Sequence, residues 1–313
     1  MADNRAVVVD PNAPGKLVIR DVPRPVPDKD EAIVRVRAIS LNRGEVRRST
    51  TAAAGWRPGW DLAGEIEQPA VDGSGPPAGT RVVGVVLEGA WAEHVAVQTS
   101  WMSELPDTVT FAQAATLPVA GLTALYALEK AGLLLGKRVL VTGATGGVGD
   151  FAVQLARRAG AHVVAGVRRP EQAESVRKLG AHDVIVGDEI PAGPAKYDLV
   201  VESVGGRTLG SALGALARDG VCVTLGVSAT PDVTFNARDF FVAGRTTLHG
   251  LYLFTEFGAR PARNGLRRLA GLVAGGELTP SISVERPWTE IAKVAEDLLA
   301  RRYPGKAVLV LGQ

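Results

Sequence analysis

The residues with the plainest chemical meaning are the small ones in Gly143-Ala-Thr-Gly146-Gly147-Val-Gly149. A short apolar run, Val139-Leu-Val141, precedes them and suits a strand buried on both faces. After them Val148, Phe151, Ala152, Leu155 and Ala159 recur at the spacing of one helix face. Strand, glycine turn and helix open a nucleotide-binding βαβ unit. Such a unit needs a tight turn, a bare backbone where a pyrophosphate approaches, and close helix-on-strand packing. Ala144, Gly146 and Gly149 hold the three fingerprint positions, with alanine in place of the first glycine. Free N–H groups at the helix start, and the positive end of its dipole, would hold the phosphates. Ala144, Thr145, Gly146, Gly147, Val148 and Gly149 are therefore the expected phosphate-binding residues.

The next strand, expected over 161–167, selects the dinucleotide. A site for NAD places an acidic residue about 20 residues past the glycines, at the end of this strand. Here Val167 is followed by Arg168-Arg169-Pro170. A carboxylate would repel a 2′-phosphate, whereas two guanidiniums can clamp it with charge-assisted bonds. The expected cofactor is NADP(H), with Arg168 the first ligand because it directly follows the strand, and Arg169 the second. The competing reading is that both arginines solvate the start of the helix opened by Pro170.

The elements that must position these residues follow from pattern. Over roughly the first 118 residues, strand-like pieces at 5–9, 31–39, 61–67, 81–87 and 92–97 alternate with turns such as Asp72-Gly-Ser-Gly-Pro-Pro77, which suggests a barrel-like β domain. Helical pattern starts near Phe111 and runs again from Gly121 to Lys130. Strands are then expected at 138–142, 161–167, 182–186, 197–203, 220–226 and 246–253, with helices at 148–159, 170–179, 207–218 and 261–274. Alternation of this kind predicts a parallel doubly wound sheet. The tail adds an amphipathic helix from Ile291 and a strand at Ala307 to Leu311.

Composition narrows the function. The chain has 313 residues and 46% hydrophobic content, enough for two cores. Its 35 basic and 33 acidic residues leave a net charge of +2, which gives no footprint for nucleic acid or an anionic membrane. No run of about 18 apolar residues occurs, and Met1-Ala-Asp-Asn-Arg5 lacks a signal core, so a cytoplasmic protein is expected. The single cysteine, Cys222, fits a reducing compartment and reads as an inert thiol in a buried strand.

Longer stretches carry a resemblance. Ser40-Leu-Asn42, Pro58-Gly-Trp-Asp-Leu-Ala-Gly64, Gly89-Ala-Trp-Ala-Glu93, Leu117-Pro-Val-Ala-Gly-Leu-Thr-Ala-Leu-Tyr-Ala-Leu128, the loop at 143–149, Lys178-Leu-Gly-Ala181, Tyr197-Asp-Leu-Val-Val-Glu-Ser203 and Gly305-Lys-Ala-Val-Leu309 follow one another in order. Together they resemble the zinc-independent quinone oxidoreductase (zeta-crystallin-like) branch of the medium-chain dehydrogenase/reductases. The resemblance implies an α/β chain: a GroES-like β-barrel domain over 1–120, rejoined by 279–313, and a Rossmann doubly wound parallel sheet over 121–278, with the active site in the cleft between them. Zinc-dependent members take catalytic ligands from a Cys, a His and a later Cys. The corresponding residues here are Asn42, Trp60 and about Val119, none of a zinc-ligating kind, so no metal is expected. His94, His162, His182 and His249 are scattered along the sequence and read as structural. Without a Lewis acid to ionise an alcohol, reduction of an activated acceptor is expected.

The implied reaction is hydride transfer from NADPH to a quinone or an α,β-unsaturated carbonyl, an acceptor electrophilic enough to need little beyond positioning and exclusion of water. Charge developing on its carbonyl oxygen must meet a donor. Asn42 is the first candidate by its family position, with a turn-stabilising amide as the alternative. Arg47 stands where relatives often carry a tyrosine; it could bind an oxyanion but is a poor acid. Thr123 and Tyr126 resemble residues lining the nicotinamide site, with a packing role as the alternative for Tyr126. Val204, Gly226, Leu251 and Tyr252 lie at carboxyl ends of strands, where ligands of such sheets bind. Phe240, Phe241, Phe254 and Phe257 are expected to wall an apolar acceptor pocket or to fill the core. Asp61 and Glu65 read as structural rather than as an acid/base pair. The competing functions are an enoyl or alkenal reductase and a non-catalytic NADPH-binding structural or sensor protein. Thr246-Thr-Leu-His-Gly-Leu-Tyr252 resembles the sheet edge through which relatives pair, so a homodimer is expected.

Overall fold

The computed structural model describes residues 4–191, 193 and 196–312; the expected domain ends at 1–3 and 313 lie outside them. In chain order the strands are β1 (Asn4–Val9), β2 (Leu17–Val22), β3 (Glu31–Ser40), β4 (Asp61–Gln68), β5 (Arg81–Val85), β6 (His94–Gln98), β7 (Met102–Glu104), β8 (Arg138–Val141), β9 (His162–Val167), β10 (Asp183–Val186), β11 (Tyr197–Glu202), β12 (Leu216–Thr224), β13 (Thr247–Gly250), β14 (Ile282–Pro287) and β15 (Lys306–Val310). The α-helices are α1 (Arg43–Ser49), α2 (Phe111–Ala115), α3 (Leu122–Glu129), α4 (Gly147–Arg158), α5 (Ala173–Lys178), α6 (Gly206–Gly214), α7 (Ala237–Val242), α8 (Leu253–Glu256), α9 (Ala262–Ala274) and α10 (Ile291–Leu299). None of the helices described is long and apolar enough to cross a membrane. Two compact units result, Met1–Leu122 with Phe254–Gln313, and Thr123–Leu253.

In the first unit a mixed sheet runs β14-β15-β3-β4-β5-β7, with β6 also on β3. The ten residues of β3 share one edge between two partners: Glu31 to Arg35 pair with β6, and Ala38 to Ser40 pair with β15. Its other edge pairs with β4, with a register shift between Val36 and Ala38. Gly64 sits opposite Val36, where an added Cβ would lie 2.1 Å from the Arg35 carbonyl oxygen, so only glycine allows this approach. Helix α9 belongs to this unit, and the unit boundary falls at 253/254 rather than 278. Its buried face, Leu266, Leu269, Ala270 and Val273, packs on β5 and β7. Arg263 donates from Nε to the Thr99 carbonyl at 2.9 Å. An amphipathic helix shows in sequence that it covers a core, but not which one.

The second unit holds a six-stranded, all-parallel sheet in the order β10-β9-β8-β11-β12-β13. Counted from β8 this is 3-2-1-4-5-6, the doubly wound order, in which winding reverses between β8 and β11. Val139, Leu140, Val141, Leu199, Val200 and Val201 are buried, as strands covered on both faces require. The expected helix over 207–218 stops at Gly214, and β12 begins at Leu216 instead of 220. Leu216 already pairs with Tyr197; the register then shifts across the irregular Asp219-Gly220, where Asp219 has φ 61. Likewise the expected strand over 246–253 is shorter, because Leu253 starts a helical turn.

Candidate functional site

The glycine loop sits at the carboxyl end of β8, at the point where the winding reverses. Gly143 turns the chain with φ 58, and Ala144 donates its N–H to the Gly166 carbonyl of β9 at 3.1 Å. Alanine is accommodated because this methyl is fully buried rather than facing the loop's open side. Gly146 is the N-cap of α4, without a side-chain cap, and is exposed. A Cβ on Gly149 would come within 2.4 Å of the Gly143 carbonyl oxygen. The loop is therefore a bare cradle closed against the helix, with uncapped N–H groups at its mouth. Gly147 and Val148 lie in that first turn, and the Thr145 hydroxyl accepts from Gln172 Nε2 at 3.3 Å.

The two arginines differ. Arg169 pairs with Glu171 at 3.0 Å, and its N–H donates to Gln172 Oε1. Arg168 is exposed at the end of β9 and has no bonding partner among the described residues. At the other strand ends Val204 and Gly226 are half-buried, Leu251 is buried, and Tyr252 is 63% exposed. Thr123 and Tyr126 are both buried. At 2% exposure the Tyr126 ring favours the packing alternative.

In the first unit the positions equivalent to the zinc ligands do converge, on Asp61. Its Oδ2 accepts from Asn42 Nδ2 at 2.7 Å and its Oδ1 from the Val119 N–H at 2.9 Å; Trp60 is its chain neighbour. Asn42 corrects its expectation as a donor to substrate. Both amide hydrogens are engaged, by Asp61 and by Glu45 Oε1 at 3.0 Å, and the amide oxygen accepts from Lys306 Nζ at 2.6 Å. Asn42 thus holds the start of α1 in place. Burial pushes the carboxyls of Glu45 and Asp61 upward and the Lys306 ammonium downward, while the opposite charges partly restore Asp61 and Lys306. Arg47 is exposed on α1. Glu65 is a salt-bridge partner of Arg35 and Arg37.

Aromatic rings continue from this centre. Trp60 meets Phe254 at 5.3 Å, Phe254 meets Phe257 at 5.8 Å, and Phe257 meets Trp101 at 5.1 Å. Gly44 leaves room for the Trp60 ring, which an added Cβ would meet at 2.8 Å. Phe240 packs on the core of the second unit and Phe241 is 66% exposed, so the four phenylalanines expected together divide between the units. Sequence reasoning passed over Lys306, Glu45, Gln172 and Glu202. The available signal was a charged residue inside a buried apolar run, as with Lys306 in β15 and Glu202 in β11.

A cradle of bare glycines at the reversal point of a parallel sheet, in a chain that also carries a GroES-like β unit, is the make-up of a two-part dehydrogenase or reductase. Comparison with known proteins agrees. The alcohol dehydrogenase GroES-like domain family matches residues 28–107 and the zinc-binding dehydrogenase family matches 147–266. The chloroplast envelope quinone oxidoreductase homolog of Arabidopsis thaliana is 32% identical over 311 residues, covering 91% of this chain and 90% of the relative. The 2-methylene-furan-3-one reductase of Solanum lycopersicum is 34% identical over 200 residues, covering 58% of this chain and 52% of the relative. Among solved structures, the Escherichia coli quinone oxidoreductase complexed with NADPH matches with a TM-score of 0.86 at 25% identity, covering 98% of this chain and all of the other. The chain belongs to the quinone oxidoreductase branch of the medium-chain dehydrogenase/reductase family.

Zinc does not fit the residues at the ligand positions. The Asn42 amide is fully bonded, Trp60 meets Phe254 edge to face, and Val119 presents only a backbone N–H. Among the described residues no group of three or more His, Cys, Asp or Glu side chains is arranged to hold a metal ion.

Proposed function

We propose that this chain reduces a quinone or an α,β-unsaturated carbonyl at the expense of NADPH. The observation that carries the reading is the bare glycine cradle at the reversal of the 3-2-1-4-5-6 sheet, with Arg168 exposed and without a partner among the described residues at the next strand's end. NADPH, when bound, supplies the hydride. The backbone from Ala144 to Gly149 receives the pyrophosphate, and Arg168 with Arg169 receives the 2′-phosphate. Val204, Gly226, Leu251 and Tyr252, with Thr123, border the nicotinamide half. On the acceptor side, Trp60 and Phe254 offer flat apolar surface and Arg47 offers permanent positive charge for the developing oxyanion. Asn42 acts indirectly, by fixing α1, and Tyr126 by packing. The proton that completes the reduction comes from solvent, because an arginine does not release one.

The relationship to a furanone reductase supports enone reduction as a second reading of the same chemistry. The β13 edge, where Leu248 is 45% exposed, supports pairing of two copies. The lone buried Cys222 supports a reducing, cytoplasmic setting. A panel of small quinones and enones, each assayed with NADPH and with NADH, tests the function. Turnover of either class with NADPH preferred is expected. Binding of NADPH without any turnover would leave a structural or sensing role, and absence of NADPH binding would end the reading. Sedimentation at equilibrium checks the homodimer; a monomer at all concentrations refutes it.

A further inference from the structure

Glu202 is completely buried at the carboxyl end of β11, and no cationic side chain is paired with it among the described residues. A carboxylate so placed forfeits its hydration, and an apolar side chain of similar size would serve the core better. Its partners are instead the backbone of the loop that follows. Oε1 accepts from the Val204 N–H at 2.7 Å and the Gly205 N–H at 3.0 Å, and Oε2 accepts from Gly205 at 3.2 Å. Just past the end of β8, the Thr142 hydroxyl donates to Oε1 at 3.2 Å and accepts from the Ser203 N–H at 3.0 Å.

These bonds join the two strands between which the sheet's winding reverses. Thr142 leads directly into the glycine turn, and Val204 stands on the opposite rim. The rims are close: a Cβ on Gly143 would lie 2.7 Å from Ser203 Oγ. The far side of the 203–205 loop is tied as well, since the Ser203 and Val204 carbonyls accept from Ser228 and Ala229 at 3.1 and 2.8 Å. Gly205 and Gly206, at φ 80 and 53, hold a backbone that few residues adopt. A loop of that shape keeps one conformation only if its polar groups are fixed from outside.

We infer that Glu202 is a positioning residue for the dinucleotide: its carboxylate sets the spacing of the two crevice rims and the height of Val204 on its rim. This rests on the NADPH reading above. A neutral acid in its place accepts fewer bonds and must itself donate one, so the loop loosens. Burial also holds the Glu202 carboxyl above its ordinary range. The titratable group set against it from β12 is the Cys222 thiol, which burial pushes far upward and keeps uncharged; Thr142, just past β8, does not titrate.

The test measures NADPH binding by its fluorescence, from about pH 6 to pH 8.5, in wild type, Glu202→Gln, Thr142→Val and Thr142→Ser, with melting of each free protein alongside. Wild-type affinity falls as pH drops through the Glu202 transition. Glu202→Gln, which lacks the ion, binds about tenfold more weakly at high pH, and its affinity changes less with pH. The 2′-phosphate titrates alike in both, so the difference belongs to Glu202. Thr142→Val weakens binding in the same direction, Thr142→Ser restores it, and these two decide the matter if Glu202→Gln does not fold. Equal affinity and equal pH profiles in Glu202→Gln or Thr142→Val and wild type would overturn the inference. Wild type that binds no NADPH would overturn the functional reading and this inference with it.

Discussion

Lys306 Nζ lies 2.6 Å from the Asn42 amide oxygen and 3.4 Å from Asp61 Oδ2, with all three of its donors used inside the protein once the Leu41 carbonyl at 3.0 Å is included. A C-terminal strand thereby locks the start of α1 and the start of β4 with one ammonium. Removing one partner of a buried pair leaves the other charge uncompensated, which costs about 3–5 kcal/mol. Lys306→Met is expected to lower the stability of the chain by that amount in urea titrations. A change under 1 kcal/mol would mean that Asp61 does not need the ammonium.

The same cluster holds two carboxyls against one cation, all fully buried. Asp61 touches Lys306, whereas among the described residues the bonds to Glu45 come from Asn42, and burial, with Asp61 nearby, raises the Glu45 carboxyl well above its ordinary range. An acid whose folded-state pKa is raised adds stability that is full below its unfolded value and disappears as pH rises toward the folded one. Wild type should therefore lose stability between about pH 5 and pH 8, and Glu45→Gln should lose less over that interval. Urea midpoints at the two pH values measure this, and parallel losses in both proteins would refute it.

How much of this was readable beforehand differs between the two units. The doubly wound sheet was legible because each strand is a short apolar run and each turn carries glycine or a charged flank. The bare cradle was legible because its requirements fall within seven consecutive residues, Gly143 to Gly149. The bonds of Asn42 were not legible, since the groups that occupy its amide come from Asp61 and Lys306, 19 and 264 positions away. Lys306 and Glu202 both stood inside recognised motifs with no role attached. Pattern shows that a charged residue interrupts a buried strand; only the fold shows what it faces.

The glycines of the cradle should differ in tolerance. An added Cβ at Gly149 meets backbone at 2.4 Å, the Gly143 carbonyl oxygen, whereas at Gly146 the same atom is met at 3.2 Å. Gly149→Ala must open the turn and is expected to abolish measurable NADPH binding and lower the melting temperature. Gly146→Ala needs only a small shift; it should melt like wild type and weaken binding through its crowding of the phosphate seat. Equal losses of stability in both would contradict the close approach of α4 to the loop.

Cys222 lies on β12 with no exposure, and burial near Glu202 raises its thiol well beyond the ordinary range. The nucleophile in thiol exchange is the thiolate, so the folded protein should not react with an aromatic disulfide reagent over hours. One equivalent should react promptly in strong denaturant. Fast labelling of the folded chain would show that β12 opens far more readily than a central strand should.

Cofactor preference follows from the unequal arginines. Arg169 is already paired with Glu171, while Arg168 has no partner among the described residues and directly ends β9. A charge-assisted bond to a phosphate is worth about 1.5–3 kcal/mol, or one to two powers of ten in affinity. Arg168→Ala should therefore weaken NADPH by about 10–100-fold while leaving NADH nearly unchanged. Arg169→Ala should do less, because its guanidinium is already shared with Glu171, so the change removes a shared rather than a dedicated charge. Titrations of both variants with both nucleotides separate the two residues. If Arg168→Ala binds NADPH and NADH in the wild-type ratio, the 2′-phosphate is held elsewhere.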